Sequence, residues 1–298
     1  MRQGWLAQRE RGSRLAYQVM AWAALRLGRP LTRVLLHPIS IYFVFFSPKA
    51  TKGIRGFLEQ IFKRRVGLVD LYRHYHDFSA TLLDRTFIVT GQFQYFDLKI
   101  HEAEILLDRV DRGQGCLLLG SHLGSFEIVR ACGLQHRQVE IKLLMYEENA
   151  PLITETLTRL NPSMADSIIP VGQPDTMLRV KEVLDQGGLV GILGDRIIEN
   201  DKIVSCKFLG QMAPFPSGPM LLAGILKTPV ILFFGLYRGG NRYEIYFELF
   251  AEEVLLDRHH RSRDLQAWTQ RYVERLEHYC RLAPSNWFNF YDFWGKEH

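Results

Sequence analysis

The 298-residue sequence contains few of the patterns that indicate a cofactor or a common hydrolase. It has four cysteines and no C-x2-C pair, so neither a zinc site nor a disulfide framework is indicated. Neither G-x4-G-K nor G-x-G-x2-G occurs, which argues against nucleotide binding. The G-x-S-x-G elbow of serine hydrolases is also absent. We therefore expect no metal and no organic cofactor.

The charge is distributed unevenly along the chain. Residues 1–65 carry 13 Lys and Arg against only Glu10 and Glu59, a net charge of +11. The remainder has 24 basic and 30 acidic residues, a net charge of −6. This division argues against nucleic-acid binding over the whole fold and predicts a basic N-terminal segment that faces an anionic partner.

The anionic partner indicated by the sequence is a membrane surface. Residues Leu15–Phe46 are rich in Trp, Tyr, Phe and Leu, but no uncharged apolar run reaches the roughly 18–20 residues of a spanning helix. Pro30 and Pro38 interrupt the run, as do three arginines, Arg26, Arg29 and Arg33. We predict that residues 1–50 form a monotopic, membrane-associating segment with the rest of the chain on the cytoplasmic side. A single marginal span and a pair of core helices are the alternatives.

Two regions follow the N-terminal segment within one predicted domain, residues 51–298. Residues 51–111 have helical periodicity, with Gly53, Gly56 and Gly67 as breaks and RTFIVTG as the strongest strand-type run. From residue 112 onward, apolar β-type runs alternate with amphipathic helical stretches. Helices are expected from Ser125 and near 151–160, 175–186, 217–226 and 261–282. This alternation predicts an α/β fold, a mostly parallel central sheet with helices on both faces. The last two strands are predicted to be antiparallel across residues 239–241.

One strand end carries the strongest candidate for chemistry. Residues Leu117–Glu127 read LLLGSHLGSFE, so His122 follows a buried-strand pattern and Glu127 stands five residues later. The bare H-x4-D/E spacing is expected about once by chance at this composition. A second match, His259 with Asp264, lies in a polar stretch and reads as a solvated loop. In open α/β sheets, ligands bind beyond the carboxyl ends of parallel strands, which is where His122 is placed.

The H-x4-E spacing suits a histidine base oriented by an acid. On one continuous helix the two side chains would diverge, so we expect His122 in a turn and Glu127 about one turn into the following helix. A carboxylate on one ring nitrogen fixes the tautomer and raises the basicity of the other. The alternative is a structural histidine that caps nearby backbone, beside a surface glutamate.

Two further motifs accompany this one. In GLVGILGDR, Asp195 and Arg196 follow an apolar strand, and an arginine there is suited to binding a phosphate or carboxylate. In FPSGP, Ser217 and Gly218 resemble the cap and first turn of a helix whose free N–H groups hold an anion. An ordinary strand–turn junction and a well-capped helix are the alternatives. A metal-binding interpretation of HYHD, at 74–77, lacks an obvious third ligand.

These three motifs, in this order behind a basic and aromatic segment, resemble the lysophospholipid and lipid A acyltransferase superfamily. The resemblance covers about Gly115–Phe250 by motif. It implies that His122 is the catalytic base and Glu127 its partner. It also carries a substrate-binding role to Asp195 and Arg196.

The resemblance implies, less directly, an acceptor-site helix that begins at Ser217 and Gly218. The chain departs from the lipid A subgroup in its closing segment, which is strongly aromatic rather than basic. That tail is expected to line an acyl-chain groove, to enter the membrane interface or to pack in the core. Because of this departure the acceptor stays open, since other branches acylate amino-acid lipids, glycolipids or polyene pigments.

The implied activity is acyl transfer on the cytoplasmic face of a bacterial inner membrane. The acyl group would come from a thioester of acyl carrier protein or coenzyme A, and the acceptor would be a hydroxyl or amine of a lipid or glycolipid. Backbone N–H groups at Gly120 and Ser121, or Arg196, are candidates for holding the oxyanion. Two alternatives are a catalytically silent lipid-binding protein and a serine hydrolase, although Ser121 adjoins His122 too closely for attack.

Overall fold

The computed structural model describes residues 14–131, 139–145, 155, 158–197 and 202–295. The α-helices in this part are α1 Arg14–Phe46, α2 Pro48–Phe62, α3 Leu68–Val89, α4 Ala103–Asp111, α5 Ser163–Asp166, α6 Thr176–Asp185, α7 Gly218–Leu226 and α8 Arg261–Leu282. The strands are β1 Asp97–His101, β2 Cys116–Gly120, β3 Ile141–Met145, β4 Ile168–Pro170, β5 Leu189–Leu193, β6 Ile203–Phe208, β7 Gln211–Pro216, β8 Val230–Tyr237 and β9 Arg242–Ala251. Short 3-10 helices cover Phe93–Tyr95, Glu127–Ala131 and Pro284–Asn286.

Seven of these strands form one mixed sheet in the order β1-β9-β8-β2-β5-β3-β4. The strands from β8 to β4 run parallel, β9 is antiparallel to β8, and β1 is parallel to β9. Every residue of the central strands β2 and β8 is buried, as expected for strands covered on both faces. This confirms the predicted α/β fold with a mostly parallel sheet surrounded by helices.

The antiparallel pair predicted across residues 239–241 is confirmed as β8 and β9. Several other elements differ from the prediction. The run KIVSCKFLG forms β6, but it pairs with the unpredicted β7 in a separate two-stranded sheet. The strand-type run RTFIVTG lies within and just after α3, where its apolar residues are buried against the body. β1 was not predicted, and most of the predicted helix at 151–160 lies outside the described residues.

Gly53, one of the two glycines inside α2, has a packing role rather than the predicted role of a helix break. Gly53 and Gly56 both lie inside the helix, whereas Gly67 directly precedes α3. A Cβ atom on Gly53 would stand 2.6 Å from the backbone carbonyl of Tyr291. Gly53 therefore allows the C-terminal segment to pass directly against α2.

The long helix α1 bends at Gly28, whose φ of 76° and ψ of 165° are not helical. The two prolines that were expected to break the run, Pro30 and Pro38, both lie inside the helical part. Within the described residues, no single helix is long and apolar enough to cross a membrane. One bent pair, Gln18–Phe46 with Pro48–Phe62 at 94°, passes the test of length and composition.

A buried ion pair fastens α1 to the body. Arg29 donates from Nε and Nη2 to the two carboxylate oxygens of Asp84, at 2.8 and 2.9 Å. Tyr243 on β9 donates to Asp84 as well, at 2.8 Å. The arginines of α1 therefore do not all face outward as the charge pattern predicted. Arg26 is exposed, but Arg29 is buried against α3 and β9.

The aromatic C-terminal segment Pro284–Trp294, the aromatic tail, packs in the core. Trp287, Phe288 and Phe293 are all at least 96% buried. Trp287 meets Phe57 of α2 edge to face, with ring centroids 4.7 Å apart. Of the three predicted placements for the tail, core packing is the observed one.

His74 is buried without polar partners between α3 and the aromatic tail. Its ring meets Phe288 and Phe290 edge to face, and in the described part of the chain neither ring nitrogen has a hydrogen-bond partner. Burial lowers the pKa of this imidazole to about 3. The histidine is therefore neutral in the folded protein at physiological pH.

His74 is expected to make the protein sensitive to acid. The unfolded chain binds a proton near pH 6.5 and the folded chain only near pH 3, so stability falls as pH decreases through this window. The loss between pH 7 and pH 5 is about 2 kcal/mol. Urea unfolding at both pH values measures it, and His74→Phe should remove this component. The control variant His259→Phe, at an exposed site, should keep the pH-dependent loss of stability. If His74→Phe lost as much stability between pH 7 and pH 5 as the wild-type protein, the assignment would be contradicted.

Candidate active site

The parallel register of β2 and β5 brings His122 and Asp195 together. Gly120 pairs with Leu193 at the carboxyl ends of these neighbouring strands. Each strand therefore reaches its polar residue two positions further on, at the same edge of the sheet. His122 Nδ1 lies 2.8 Å from Asp195 Oδ1. The side chain of Asp195 is only 2% exposed, while that of His122 is 25% exposed.

Asp195 is held from several sides. The backbone N–H of His122 lies 3.1 Å from both carboxylate oxygens. Trp287 Nε1 donates to Asp195 Oδ2 at 2.9 Å from the aromatic tail. These donors fix the orientation of the carboxylate, and the carboxylate fixes the orientation of the imidazole in turn. Nδ1 is thereby occupied, and Nε2 is the ring nitrogen left for a substrate.

Glu127 lies elsewhere than the H-x4-E prediction placed it. It begins the 3-10 helix Glu127–Ala131, and its Oε2 stands 2.9 Å from Nε of Arg85 on α3. Among the described residues, the carboxylate hydrogen-bonded to the His122 ring is Asp195 and not Glu127. The reason is geometric, because a partner on the adjacent strand is brought alongside by the register, whereas the loop after His122 carries Glu127 toward α3.

The electrostatic surroundings keep His122 uncharged. Burial lowers the pKa of His122, and the positive charges of Arg196 and Arg85 lower it further, against the opposite effect of Asp195. Burial opposes ionisation of Asp195, yet His122, Arg196 and Trp287 together hold its pKa below the usual range. The pair is therefore a neutral imidazole beside a carboxylate at pH 7, which is the state a general base requires.

The loop that carries His122 rests directly on β8. Gly124 forms a bridge with Gly235 and has a φ of 71°. A Cβ atom on Gly124 would lie 2.0 Å from the carbonyl oxygen of Gly235. The N–H of the next residue, Ser125, donates to that same oxygen at 2.8 Å. Only glycine allows this approach, so Gly124 and Ser125 fix the position of the loop on β8 and do not only begin the helix that follows.

Arg196 joins the site to the aromatic tail. Its Nη2 donates to the carbonyl of Phe288 at 2.9 Å, and the N–H of Phe288 donates to the carbonyl of His122 at 2.8 Å. Burial lowers the pKa of Arg196, with a further contribution from the charge of Arg85. The guanidinium thus lies beside the imidazole, where the sequence placed it, and the tail braces both residues.

The other predicted residues are placed as follows. Gly120 ends β2, and its carbonyl accepts from Gly194 N at 3.0 Å and from the hydroxyl of Tyr272 at 2.8 Å. Ser121 is buried between it and His122. Ser217 does not cap α7 with its side chain, because both its N–H and its hydroxyl donate to the carbonyl of Lys202. Within the described part of the chain, no hydrogen bond links Ser217 or Gly218 to His122 or Asp195.

Sequence reasoning missed two contributors to this site. Arg85 lies in the helical lead-in, and nothing in its local sequence indicated a contact with Glu127. Trp287 was noted only as part of an aromatic tail. Asp195 was identified, but as a substrate-binding residue rather than as the partner of His122. His122 and Asp195 each lie two residues after the end of an apolar strand, and this shared spacing was the sequence feature from which the pair could have been predicted.

A histidine oriented by a buried carboxylate, at the carboxyl ends of parallel strands, is typical of α/β enzymes that use general-base catalysis. The family model for bacterial lipid A biosynthesis acyltransferases matches residues 89–296, more than half of the sequence, and the chain belongs to this family. Membership makes the protein an acyltransferase, with an acyl donor and a lipid acceptor as its substrates. A comparison with curated proteins gives no significant match.

Proposed function

We propose that the protein transfers a fatty acyl group from a thioester to a hydroxyl or amine of a lipid acceptor, with His122 as general base and Asp195 as its orienting carboxylate. The observation that supports this most strongly is the 2.8 Å contact between His122 Nδ1 and Asp195. It leaves Nε2 of a neutral, partly exposed imidazole directed away from the carboxylate. This proposal replaces Glu127 with Asp195 as the partner of the base.

The proposed reaction proceeds through a tetrahedral intermediate. Nε2 of His122 takes the proton of the acceptor hydroxyl or amine as that oxygen or nitrogen attacks the thioester carbonyl carbon. The carbonyl π electrons move onto oxygen, and they return when the C–S bond breaks. The imidazolium, stabilised by Asp195, gives its proton to the departing thiolate, and no covalent acyl-enzyme is needed.

Positive groups beside the ring are suited to the developing oxyanion. Arg196 is one of the candidates named from the sequence, and its positive charge acts on His122. The backbone N–H of His122 is taken by Asp195. Backbone donors at Gly120 and Ser121 remain the other candidates.

The N-terminal helices are proposed to hold the enzyme on the cytoplasmic face of a bacterial inner membrane. α1 exposes a row of large apolar side chains that are each more than half exposed, among them Trp22, Leu31, Val34, Phe45 and Phe46. Exposed lysines at the start of α2, Lys49 and Lys52, follow this row. An apolar face beside basic residues suits an anionic lipid surface, where the acceptor would be present.

Acyl carrier protein and coenzyme A are both proposed as carriers of the donor thioester. Ser217 and Gly218, at the start of α7, are proposed to contact the acceptor rather than the reacting atoms. A lipid or glycolipid acceptor fits both the family and the membrane-facing helix.

Asp195→Asn and Glu127→Gln provide a direct test of which carboxylate serves His122. Asp195→Asn is expected to lower kcat by roughly 10²- to 10⁴-fold, because an amide no longer fixes the tautomer or stabilises the imidazolium. Glu127→Gln keeps the His122–Asp195 contact, so its decrease in kcat should be at least tenfold smaller than that of Asp195→Asn. The measurement is the rate of acyl transfer from an acyl thioester to a lipid extract, by mass spectrometry. Thermal unfolding of both variants controls for misfolding, and a greater loss in Glu127→Gln would overturn the assignment.

A further inference from the structure

Arg85 is an unassigned cationic residue at the edge of the candidate active site. It lies near the end of α3 and precedes residue 89, where the match to the family model begins. Its Nε forms the 2.9 Å ion pair with Glu127 Oε2. Glu127 is the acid of the H-x4-E motif, so this contact connects a helix outside the matched region to the catalytic loop.

The position of Arg85 lies within electrostatic reach of His122. The charge of Arg85 contributes to lowering the pKa of His122, after burial and Arg196. It also lowers the pKa of Arg196, again after burial. The charges of two guanidinium groups therefore act on one imidazole. Glu127 and Asp195 balance these positive charges at rest, and an oxyanion that forms during the reaction would be stabilised by the same charges.

The terminal amino groups of Arg85 are the donors left for such a group. Its side chain is 27% exposed, and Nε lies 2.9 Å from Glu127 Oε2 as an ion pair without a well-aligned hydrogen bond. In the part of the chain that the structure describes, neither Nη1 nor Nη2 of Arg85 has a protein acceptor. Arg196, by contrast, already donates to the carbonyl of Phe288. The ion pair keeps the guanidinium beside Glu127, and a planar guanidinium can offer its two terminal amino groups to one anionic group.

We propose that Arg85 is a further catalytic residue whose terminal amino groups stabilise the oxyanion of the tetrahedral intermediate, and that Glu127 is the positioning residue that holds it. This inference rests on the proposed acyl-transfer function. It assigns the motif acid a role that does not involve contact with the imidazole. His122 and Asp195 move the proton, while Glu127 and Arg85 place a positive charge where negative charge develops.

The test compares kcat and KM of four variants: Arg85→Gln, Arg85→Lys, Glu127→Gln and the double variant Arg85→Gln with Glu127→Gln. Arg85→Gln is expected to lower kcat about 10²-fold with KM changed less than about threefold, because the interaction forms only in the transition state. Arg85→Lys keeps the charge and should recover part of the loss. Glu127→Gln should add little in the double variant, since its effect passes through Arg85.

A pH profile distinguishes this role from a structural one. Removing the positive charge of Arg85 raises the pKa of His122, so the acidic limb of kcat/KM should move to higher pH in Arg85→Gln and stay near its original position in Arg85→Lys. The other charged groups that act on the ring, Asp195 and Arg196, are unchanged in both variants. Arg73→Gln, an exposed arginine on the same helix, is the matched control and should behave as wild type.

The possible outcomes separate this proposal from the one on which it rests. If the wild-type protein transfers acyl groups and the Arg85→Gln variant has the same kcat, the role of Arg85 is overturned but the proposed function is not. A raised KM at constant kcat, or independent effects of Arg85 and Glu127 in the double variant, has the same consequence. A folded wild-type protein that transfers no acyl group to any lipid in a membrane extract overturns the proposed function and this role together.

Discussion

Replacing His122 with glutamine is expected to lower the rate of acyl transfer by about 10³-fold or more, because glutamine cannot take the acceptor proton as the proposed base does. Glutamine keeps a polar side chain of similar reach beside Asp195, so the fold should be preserved. The contact with Nδ1 at 2.8 Å and the lowered pKa of the ring both describe a base that is uncharged at pH 7. Losing it removes both proton-transfer steps.

Acyl transfer to a membrane lipid extract, with a single thioester donor, measures this effect. His259→Gln is the matched control, because His259 satisfies the same H-x4-D/E spacing but is exposed at the surface. It should retain the wild-type rate. A near-normal rate in the folded His122→Gln protein would show that another residue takes the proton.

Replacing Asp84 with asparagine is expected to destabilise the protein by about 3–5 kcal/mol, because it leaves the Arg29 guanidinium buried without its counter-charge. Arg29 and Asp84 share two hydrogen bonds, and Tyr243 also depends on this carboxylate. The pair joins α1 to α3 and β9, so its loss should loosen α1 before the rest of the body unfolds. The hydrogen bonds described for this pair involve no residue of β2 or β5, the strands that precede His122 and Asp195.

Urea unfolding and limited proteolysis in detergent measure the loss and locate it. Asp70→Asn is the control on the same helix, because the Arg64–Asp70 pair is exposed and is expected to contribute no more than about 1 kcal/mol. Replacing both partners, Arg29→Met with Asp84→Leu, should be much less harmful than Asp84→Asn alone. Equal losses in Asp84→Asn and Asp70→Asn would contradict the role of the buried pair.

The sequence predicts the sheet well because its central strands have strong local signals. Continuous apolar runs that end in Gly-Ser-His and Gly-Asp-Arg identify β2 and β5 and place His122 and Asp195 at one edge. β1 alternates polar and apolar residues, but it has only five residues and two apolar ones, which is too short a signal to distinguish from the helical stretches around it. RTFIVTG has strand-type composition, but it continues a long helix whose packing outweighs that preference.

The partner of the base depends on contacts between segments distant in sequence. The H-x4-E spacing draws attention to Glu127, since both residues lie in one short stretch. Strand order determines the actual contact, because β5 is the neighbour of β2 and brings Asp195 alongside. Arg85 is more than thirty residues away from Glu127 along the chain, and only the packing of α3 places it there.

Mass spectrometry of membrane lipids from host cells tests the central claim most directly. The comparison is among cells with wild-type protein, cells with His122→Ala protein and cells without the protein. We expect a lipid heavier by one acyl chain in cells with the wild-type protein only, and its mass would identify both the acceptor and the chain length. The same new lipid in cells with well-expressed His122→Ala protein would contradict general-base catalysis by His122.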